Sequence, residues 1–488
     1  MLVAHKTDVA IIGSGIAGLT AGCLLAKDGF SITVLEQNWL PGGCASSYPR
    51  KNYIFESGAT TLVGLDEHMP LKFLLDEIGV DIHPLELKPP MKVYLPNGEI
   101  LTRYHDLEAW ISEAERVFGQ KGQRAFWTYC YKLSQFVWET SLQQRAFPPS
   151  NVSDLAYAIR HFRPKQVRFA PLAFLSMDRL LDRYGLRENE QFVRFVNEQL
   201  LITAQNHVEE VNALFGATAL CYTNYSNYYV PGGLINLVRP LVEYIEQNGG
   251  NVQMREPVSQ IEPLSGEYLI TTKRAQIRAN KVISAIPINN TLELFNESRI
   301  RQKLSPKLMK SEELNSAFSL GFVCKKFREF ECLHHQVHVQ TPLPFAGSNS
   351  IFLSLSHPAD TERCGPDEVV ASVSTHVHHP AQTILEDKQQ IEEVIFDVLE
   401  SHDLFRRDAL IFHHSSTPKA WEKWTRRAWG FVGGYPQYMR IKPWQMLDAR
   451  LDHKGAYICG DSTYPGQGIP GACLSGIIAY QKLKMDSF

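Results

Sequence analysis

The stretch Thr7-Asp-Val-Ala-Ile-Ile-Gly13-Ser14-Gly15-Ile16-Ala17-Gly18 restricts the fold of this chain more than any other. Val9 to Ile12 is apolar and without alternation, as a strand buried on both faces is. Gly13, Gly15 and Gly18 follow at a spacing with three uses. The first makes a turn, the second admits a pyrophosphate to the backbone, and the third lets a helix lie close on the strand. The N-terminus of that helix offers free N–H groups and a partial positive charge to a diphosphate. A second apolar strand, Ile32 to Leu35, ends on Glu36, whose carboxylate can accept from a ribose 2′-hydroxyl. Strand, glycines, helix, strand and acid make one βαβ unit, and the expected class is α/β with a Rossmann-type dinucleotide-binding domain.

A chain of 488 residues has room for two or three lobes. At 44% hydrophobic and 21% charged residues it is an ordinary globular sequence, and a net charge of −3 argues against nucleic-acid binding driven by charge. The nine cysteines contain no CxxC pair and read as small buried thiols. The Rossmann strand begins too early to leave room for a signal peptide, and no stretch reaches the ~18 apolar residues of a membrane span. The expectation is a cytoplasmic protein whose lipid contact is peripheral, at the inner face of a membrane.

Further motifs divide the chain. Pro41-Gly42-Gly43-Cys44-Ala45 offers more backbone amides near the diphosphate, although alone it could be a hairpin turn. Residues 69–213 read as mostly helical, with no dinucleotide signal. Tyr229-Val-Pro-Gly232-Gly233 opens a helix, a strand follows at Asn251, and Lys281 to Pro287 is another buried strand with a proline stop. Gly455 to Asp461 reads as a strand ending in Gly460-Asp461, and Pro470 sits near the start of a last helix. The expected organisation is a nucleotide domain in three pieces, 1–68, 214–288 and 446–488. Its insertions are a helical, lid-like lobe at 69–213 and an α+β substrate domain at 289–445.

Gly460-Asp461 chooses between dinucleotides. A carboxylate there is placed to bond a ribityl chain, which NAD lacks, and the following helix N-terminus suits the negative charge that develops near flavin N1 on reduction. The cofactor read from these residues is FAD.

With those residues in view, the chain resembles the FAD-dependent carotenoid desaturases and isomerases, the phytoene-desaturase-like group of the amine-oxidase superfamily. The likeness is greatest to cyanobacterial-type desaturases of a carotenoid end region. It rests on the first glycine cluster with Glu36, Pro41 to Ala45, Phe55-Glu-Ser-Gly58, Pro231-Gly-Gly233, Thr417-Pro418 with Arg426, Gly430 to Gln437, and Gly460 to Pro470. Two positions depart from relatives. Cys44 stands where amine oxidases carry an arginine toward the diphosphate, and Tyr464 where many phytoene desaturases carry histidine and isomerases an aromatic residue.

The resemblance implies that Gly13, Ser14, Gly15, Ile16, Ala17, Gly18, Glu36 and Gln37 hold the ADP half. Gly42, Gly43, Cys44 and Ala45 would line the diphosphate or flavin edge, and Val258 would meet the adenine through its backbone. Gly460, Asp461, Gly468 and Ile469 would hold the ribityl and ring, with Thr60 and Thr61 near the flavin face. The activity implied is hydride transfer from a long apolar polyene to flavin N5. Redox-neutral cis–trans isomerisation, polyene saturation, amine oxidation and non-catalytic isoprenoid binding stand as alternatives. Positive charge spreading along a conjugated chain removes the need for a strong base, so no catalytic base is assigned.

Other conspicuous groups read as structural. Tyr225, Tyr228 and Tyr229 suggest packing at a domain joint, with a tunnel lining as the sharper alternative. His376, His378 and His379 lack a carboxylate or cysteine at ligand spacing, and with His334-His335 and His413-His414 they read as structural or surface residues; no metal site is expected. Trp421, Trp424 and Trp429 read as lobe-joint packing. Arg160 to Phe174 mixes basic and bulky apolar residues, as peripheral membrane segments and ordinary basic helix faces both do.

Overall fold

At the centre of the first sheet in the computed structural model, which describes residues 3–487 except 297, 384 and 386, stands the strand Val3–Ile12. It pairs in parallel with Ile32–Leu35 on one side and Ala275–Ser284 on the other. Asn251–Gln253 extends the sheet beyond Ile32–Leu35, and Ala456–Ile458 pairs with the late half of Ala275–Ser284. Five parallel strands thus come from three distant parts of the chain. The early half of Ala275–Ser284 instead pairs antiparallel with Tyr268–Thr272, which carries Val258–Pro263.

The glycines of the first turn do different work. Gly13 has φ +99°, a conformation that L side chains rarely adopt. A Cβ on Gly18 would run into the Gly13 carbonyl and come within 2.8 Å of Ala285 Cβ, whereas one on Gly15 would meet nothing within 4 Å. The helix Ile16–Lys27 therefore lies against the turn at Gly18 and leaves open space at Gly15. It is buried along nearly its whole length, packed between Ile235–Gln247 and the last helix, Gly468–Asp486.

The second sheet runs in the order Leu410–Ser416, Asn315–Lys325, Glu368–His378, Ser350–Leu355, His334–His338, Met91–Tyr94, Ile100–Arg103. Its last two strands come from the 69–213 stretch, which is otherwise mostly helical. They are short, and only partners some 240 residues away make them a sheet edge. One face of this sheet carries Phe318, Leu320, Phe322, Leu353 and Val373 onto Ile391, Ile395 and Phe396 of the helix Lys388–Ser401.

Helices between Leu107 and Leu220 build a third core around Trp110, Phe126, Trp127, Phe192 and Phe195. Ala213–Leu220 packs in this core rather than on the first sheet. The fully buried Arg103 stacks its guanidinium 4.2 Å from the Trp110 ring and donates to Gln199 Oε1 at 2.9 Å and the Leu220 carbonyl at 2.6 Å. All nine cysteines are free, and all but Cys44 are buried. No helix among the described residues is long and apolar enough to cross a membrane.

Gly18→Ala is expected to destabilise the protein by about 1–3 kcal/mol through overpacking. The change should appear as a lower urea midpoint with an unchanged slope; an unmoved midpoint would contradict the close helix–turn contact.

Candidate active site

Two helix N-termini face one cavity of about 2180 Å³. The first helix begins after Gly15 and the last after Gln467, and neither start is capped by a side chain. Unpaired N–H groups at both ends are suited to anionic or electron-rich groups of a ligand. The Pro41-Gly42-Gly43 segment closes over the first of them: Gly42 N–H donates to the Ser14 carbonyl at 2.8 Å, and Gly15 and Gly42 form an isolated parallel bridge. It is a single short turn, Gly43–Ala45, leading into the hairpin of Ser47–Arg50 and Tyr53–Glu56. Glu36 is held at its strand end, accepting from Ser14 N–H and Oγ–H through Oε2, both at 2.9 Å, and from Asn38 N–H at 2.8 Å through Oε1.

Gly13, Gly15, Ile16, Ala17, Glu36, Gln37, Gly42, Gly43, Cys44, Ala45, Thr60, Thr61, Val258, Gly460, Asp461, Gly468 and Ile469 all line this cavity. Ser14 and Gly18 stand behind it, Ser14 on Glu36 and Gly18 at the helix–turn contact. Gly15 and Asp461, 446 positions apart in sequence, thus share one space.

The cavity fits a dinucleotide on grounds independent of the motifs. Gly15 leaves a cradle that any Cβ would enter, and buried polar atoms there lack partners: Ser46 Oγ and both amide atoms of Gln467. An orphaned buried polar group costs about 1–3 kcal/mol, so such a cluster is matched to a polar occupant.

One residue escaped the sequence reading. Arg427, from the second insertion, reaches across the lobes beside Cys44 and donates from Nη2 to Asp461 Oδ2 at 2.6 Å. Its guanidinium lies 4.0 Å from the Phe431 ring centroid. Burial works against its charge, but Asp461 and Cys44 outweigh it and hold the pKa above the usual arginine value. Burial pushes the Cys44 thiol up, with Arg427 opposing. A cation therefore sits beside the paired glycines although the arginine expected after Gly43 is absent. Its neighbour Arg426, singled out by motif, lies at the rim with its carbonyl accepting from Asn290.

Other readings change with the fold. Trp421, Trp424 and Trp429 line the cavity, and the helix Pro418–Thr425, which carries the first two, also joins the lobes: the Trp424 and Thr425 carbonyls accept from Asn38 and Gln37. Of the three tyrosines, Tyr225 lines the cavity with its hydroxyl on Ser134, whereas Tyr229 bonds Asp360. Pro231-Gly-Gly233 braces the hairpin rather than the cavity, with Gly232 N–H donating to Asp360 and Leu234 N–H to Glu56. His334, His376 and His414 are cavity-lining rather than surface residues. His334 Nε2 lies 2.5 Å from Thr61 Oγ1, and its Nδ1 2.9 Å from Ser354 Oγ, which donates to Thr60. Among the described residues no group of three or more His, Cys, Asp or Glu could hold a metal ion.

A five-stranded parallel dinucleotide domain, a second sheet across the cavity and two uncapped helix starts aimed into it define a two-lobed flavoenzyme. The chain belongs to the flavin containing amine oxidoreductase family, whose sequence model matches residues 16–482. It is an FAD-dependent oxidoreductase. It is similar to prolycopene isomerase 2, chloroplastic, of an Oncidium hybrid cultivar, at 22% identity over 99% of this chain and 84% of that protein. It is also similar to the 4,4′-diapophytoene desaturase of Staphylococcus aureus (strain COL), at 20% over 98% and 99%. Its fold resembles that of putrescine oxidase bound to putrescine, with a TM-score of 0.65 at 15% identity, covering 99% and 100% of the two chains.

Arg427→Ala is expected to weaken FAD binding by more than about tenfold, measured by flavin fluorescence, and Cys44→Arg in that background to restore part of the loss. Unchanged affinity in Arg427→Ala would remove the arginine from the site. Burial holds His334 and His376 neutral at about 4 and His414 at about 3, below the ordinary 6.5. Between those limits the unfolded chain binds more protons, so stability contributed by these residues is lost as pH falls from 6.5 toward 4. The urea midpoint should drop between pH 7 and pH 5, and drop less in His376→Gln.

Proposed function

We propose that this protein desaturates a carotenoid or similar long polyene. The observation that carries the reading is the size and lining of the cavity. Ligand pockets commonly measure roughly 300–1,000 Å³, and this one, at about 2180 Å³, has room for a dinucleotide and a long second molecule together. Beyond the glycine turns one of its walls is aromatic and aliphatic, with Phe136, Trp138, Phe147, Phe169, Leu214, Phe215, Tyr225 and Tyr464. Bound FAD supplies the hydride acceptor at N5.

The chain's own residues would bind, orient and exclude water. Glu36 would accept from the ribose of the adenosine half, with Ser14 fixing the carboxylate. The uncapped start at Gly15 and the Gly42–Gly43 amides would take the diphosphate, with Arg427 supplying the cation, and Asp461 would accept from the ribityl chain. Gly468 and Ile469, which open the last helix, would hold the ring, the Val258 backbone would meet the adenine, and Thr60 and Thr61 would lie near the flavin face. The aromatic wall keeps the polyene dry and turns π faces toward the charge that develops on it. Tyr464, fixed by Ser141 at 3.0 Å, is the aromatic residue that favours a second reading, redox-neutral isomerisation.

Access would be from a lipid surface. Val152, Ile159, Val167 and Phe174 are 84%, 68%, 63% and 60% exposed, interleaved with exposed Arg160, Arg163, Lys165 and Arg168. Phe162, Phe169 and Trp444 of this face also line the cavity, so the apolar rim is continuous with its interior. Such a surface is suited to an anionic bilayer.

Co-expression in cells that make a known carotenoid, with chromatography and mass measurement of the pigments, tests the activity. Loss of two hydrogens is expected; unchanged mass with altered geometry would establish isomerisation instead, and a gain saturation. Unaltered pigments would reject the polyene reading. In flotation, the protein should rise with anionic vesicles and Ile159→Glu/Val167→Glu should not; no flotation of the wild type would discard the lipid surface.

A further inference from the structure

Opposite the aromatic helical wall, the cavity face of the second sheet carries hydroxyl, imidazole and amide side chains, among them Ser319, Ser374, Gln336 and His334. One group on this face is bonded to the nucleotide domain. Its partners there, Thr60 and Thr61, belong to the segment that leaves the hairpin of Ser47–Arg50 and Tyr53–Glu56, and that segment runs between the two helix starts. At one end Ala59 N–H donates to the carbonyl of Cys44, in the turn that closes over the first start, at 3.0 Å. At the other, a Cβ on Gly64 would come within 3.1 Å of Pro470 Cγ, in the first turn of the last helix. Thr60 and Thr61 thus stand between the two ends suited to the dinucleotide, and both line the cavity.

The hydrogen bonds behind them hold one imidazole in one tautomer. Ser354 Oγ–H donates to Thr60 Oγ1 at 2.7 Å. A hydroxyl has a single proton, so Ser354 accepts in its 2.9 Å contact with His334 Nδ1, and the ring proton sits on Nδ1. Nε2 is then the unprotonated nitrogen, and it accepts from Thr61 Oγ1–H at 2.5 Å. Burial and the Arg363 guanidinium both disfavour the charged ring; Arg363 is itself 3.5 Å from Glu56. His335, next along the strand, bonds elsewhere, to Tyr94 and the Cys332 carbonyl. Phe352 stacks on the His334 ring with centroids 5.9 Å apart, a neighbour whose π face tolerates a transient cation. A basic lone pair is therefore connected to the cavity through one hydroxyl.

Desaturation takes a hydride and a proton from neighbouring carbons. The hydride carries its electron pair to FAD, so the polyene is oxidised and FAD reduced. The proton is left in a space that excludes water and has no bulk acceptor there. A C–H bond beside an allylic cation is strongly acidic, so a weak base suffices if it lies within reach. We propose that His334 receives this proton by way of Thr61. The C–H bond breaks and its electron pair becomes the new carbon–carbon double bond. The proton bonds to Thr61 Oγ1, while the proton already on that oxygen passes to His334 Nε2. The imidazolium gives its proton to water when the product leaves and the cavity refills. This rests on the desaturation reading above and adds the proton acceptor to it.

The test uses the FAD-loaded enzyme in detergent micelles, with phytoene, ζ-carotene and lycopene as probes, and follows flavin bleaching in single turnovers. Thr61→Val and His334→Gln should each slow bleaching by at least about tenfold, with polyene affinity and FAD content unchanged. Thr61→Ser, which keeps the hydroxyl, should recover the rate to within roughly threefold of wild type. Heavy water should slow the wild type by about twofold and leave Thr61→Val unaffected, because the relayed hydroxyl proton is then missing. Nitrogen NMR of the histidine-labelled enzyme, with His334 assigned by comparison with His334→Gln, should show a neutral ring protonated on Nδ1 near neutral pH. A charged ring, a proton on Nε2, wild-type rates in Thr61→Val, or a solvent effect that survives in Thr61→Val would overturn the inference while leaving desaturation in place. If none of the three probes bleaches the wild-type flavin, the desaturation reading itself falls and takes this inference with it.

Discussion

The structure depends on how closely its first and last helices can approach. A Cβ on Gly476 would run into the carbonyl of Ala17 and come within 2.8 Å of Thr20 Cβ, so Ile16–Lys27 and Gly468–Asp486 touch backbone to side chain where Gly476 removes the obstacle. Ile11, Leu19 and Cys23 on one side, and Cys473, Leu474 and Ile477 on the other, fill the same apolar core. The result is that two helix starts, separated by most of the chain, open on one cavity. Each uncapped end leaves orphan N–H groups, and bringing two such ends to one enclosed space makes it receptive to an extended, polar and anionic ligand. A bulkier residue at Gly476 or Gly18 would separate these ends although neither glycine itself lines the cavity.

The second lobe completes this space rather than merely covering it. Its helix Pro418–Thr425 bonds the loop after Glu36 through main-chain carbonyls, and Arg427, just beyond that helix, pairs with Asp461 of the nucleotide domain. A buried ion pair is weak grounds for stability, because desolvation offsets much of the attraction. Its position is the more informative fact: the positive charge beside Cys44, which follows the paired glycines, comes from the other lobe. The helical stretch contributes in the same manner. By donating the strands Met91–Tyr94 and Ile100–Arg103 to the second sheet, it ties the aromatic wall of the cavity to the polar one.

What could be read from the sequence was local. The βαβ unit declared itself because each glycine's role is settled by neighbours within a few residues, and the buried strands at Ile32, Lys281 and Ala456 stood out as apolar runs between turns. Arg427 did not, because nothing near it in sequence says that Cys44 and Asp461 will lie beside it. The histidines misled for a similar reason. Alternation in Glu368–His378 predicts a strand with one polar face, and a polar face is ordinarily wet; only the opposed helical wall turns Ser372, Ser374 and His376 into cavity lining. Met91–Tyr94 was lost among helices because a strand of four residues acquires meaning only from its partner.

The two walls also constrain one another energetically. A cavity lined on all sides by aromatic and aliphatic groups would hold a polyene by apolar contact alone, and that contact is nearly indifferent to sliding along the chain axis. Regioselective chemistry on a repetitive polyene needs something that fixes the register, because successive double bonds present almost the same surface. A wall of polar side chains along one side breaks the uniformity of the path: moving the chain by one unit changes its polar surroundings, whereas the apolar contacts are exchanged for equivalent ones. The polar face of the sheet would then set position where the aromatic face sets affinity.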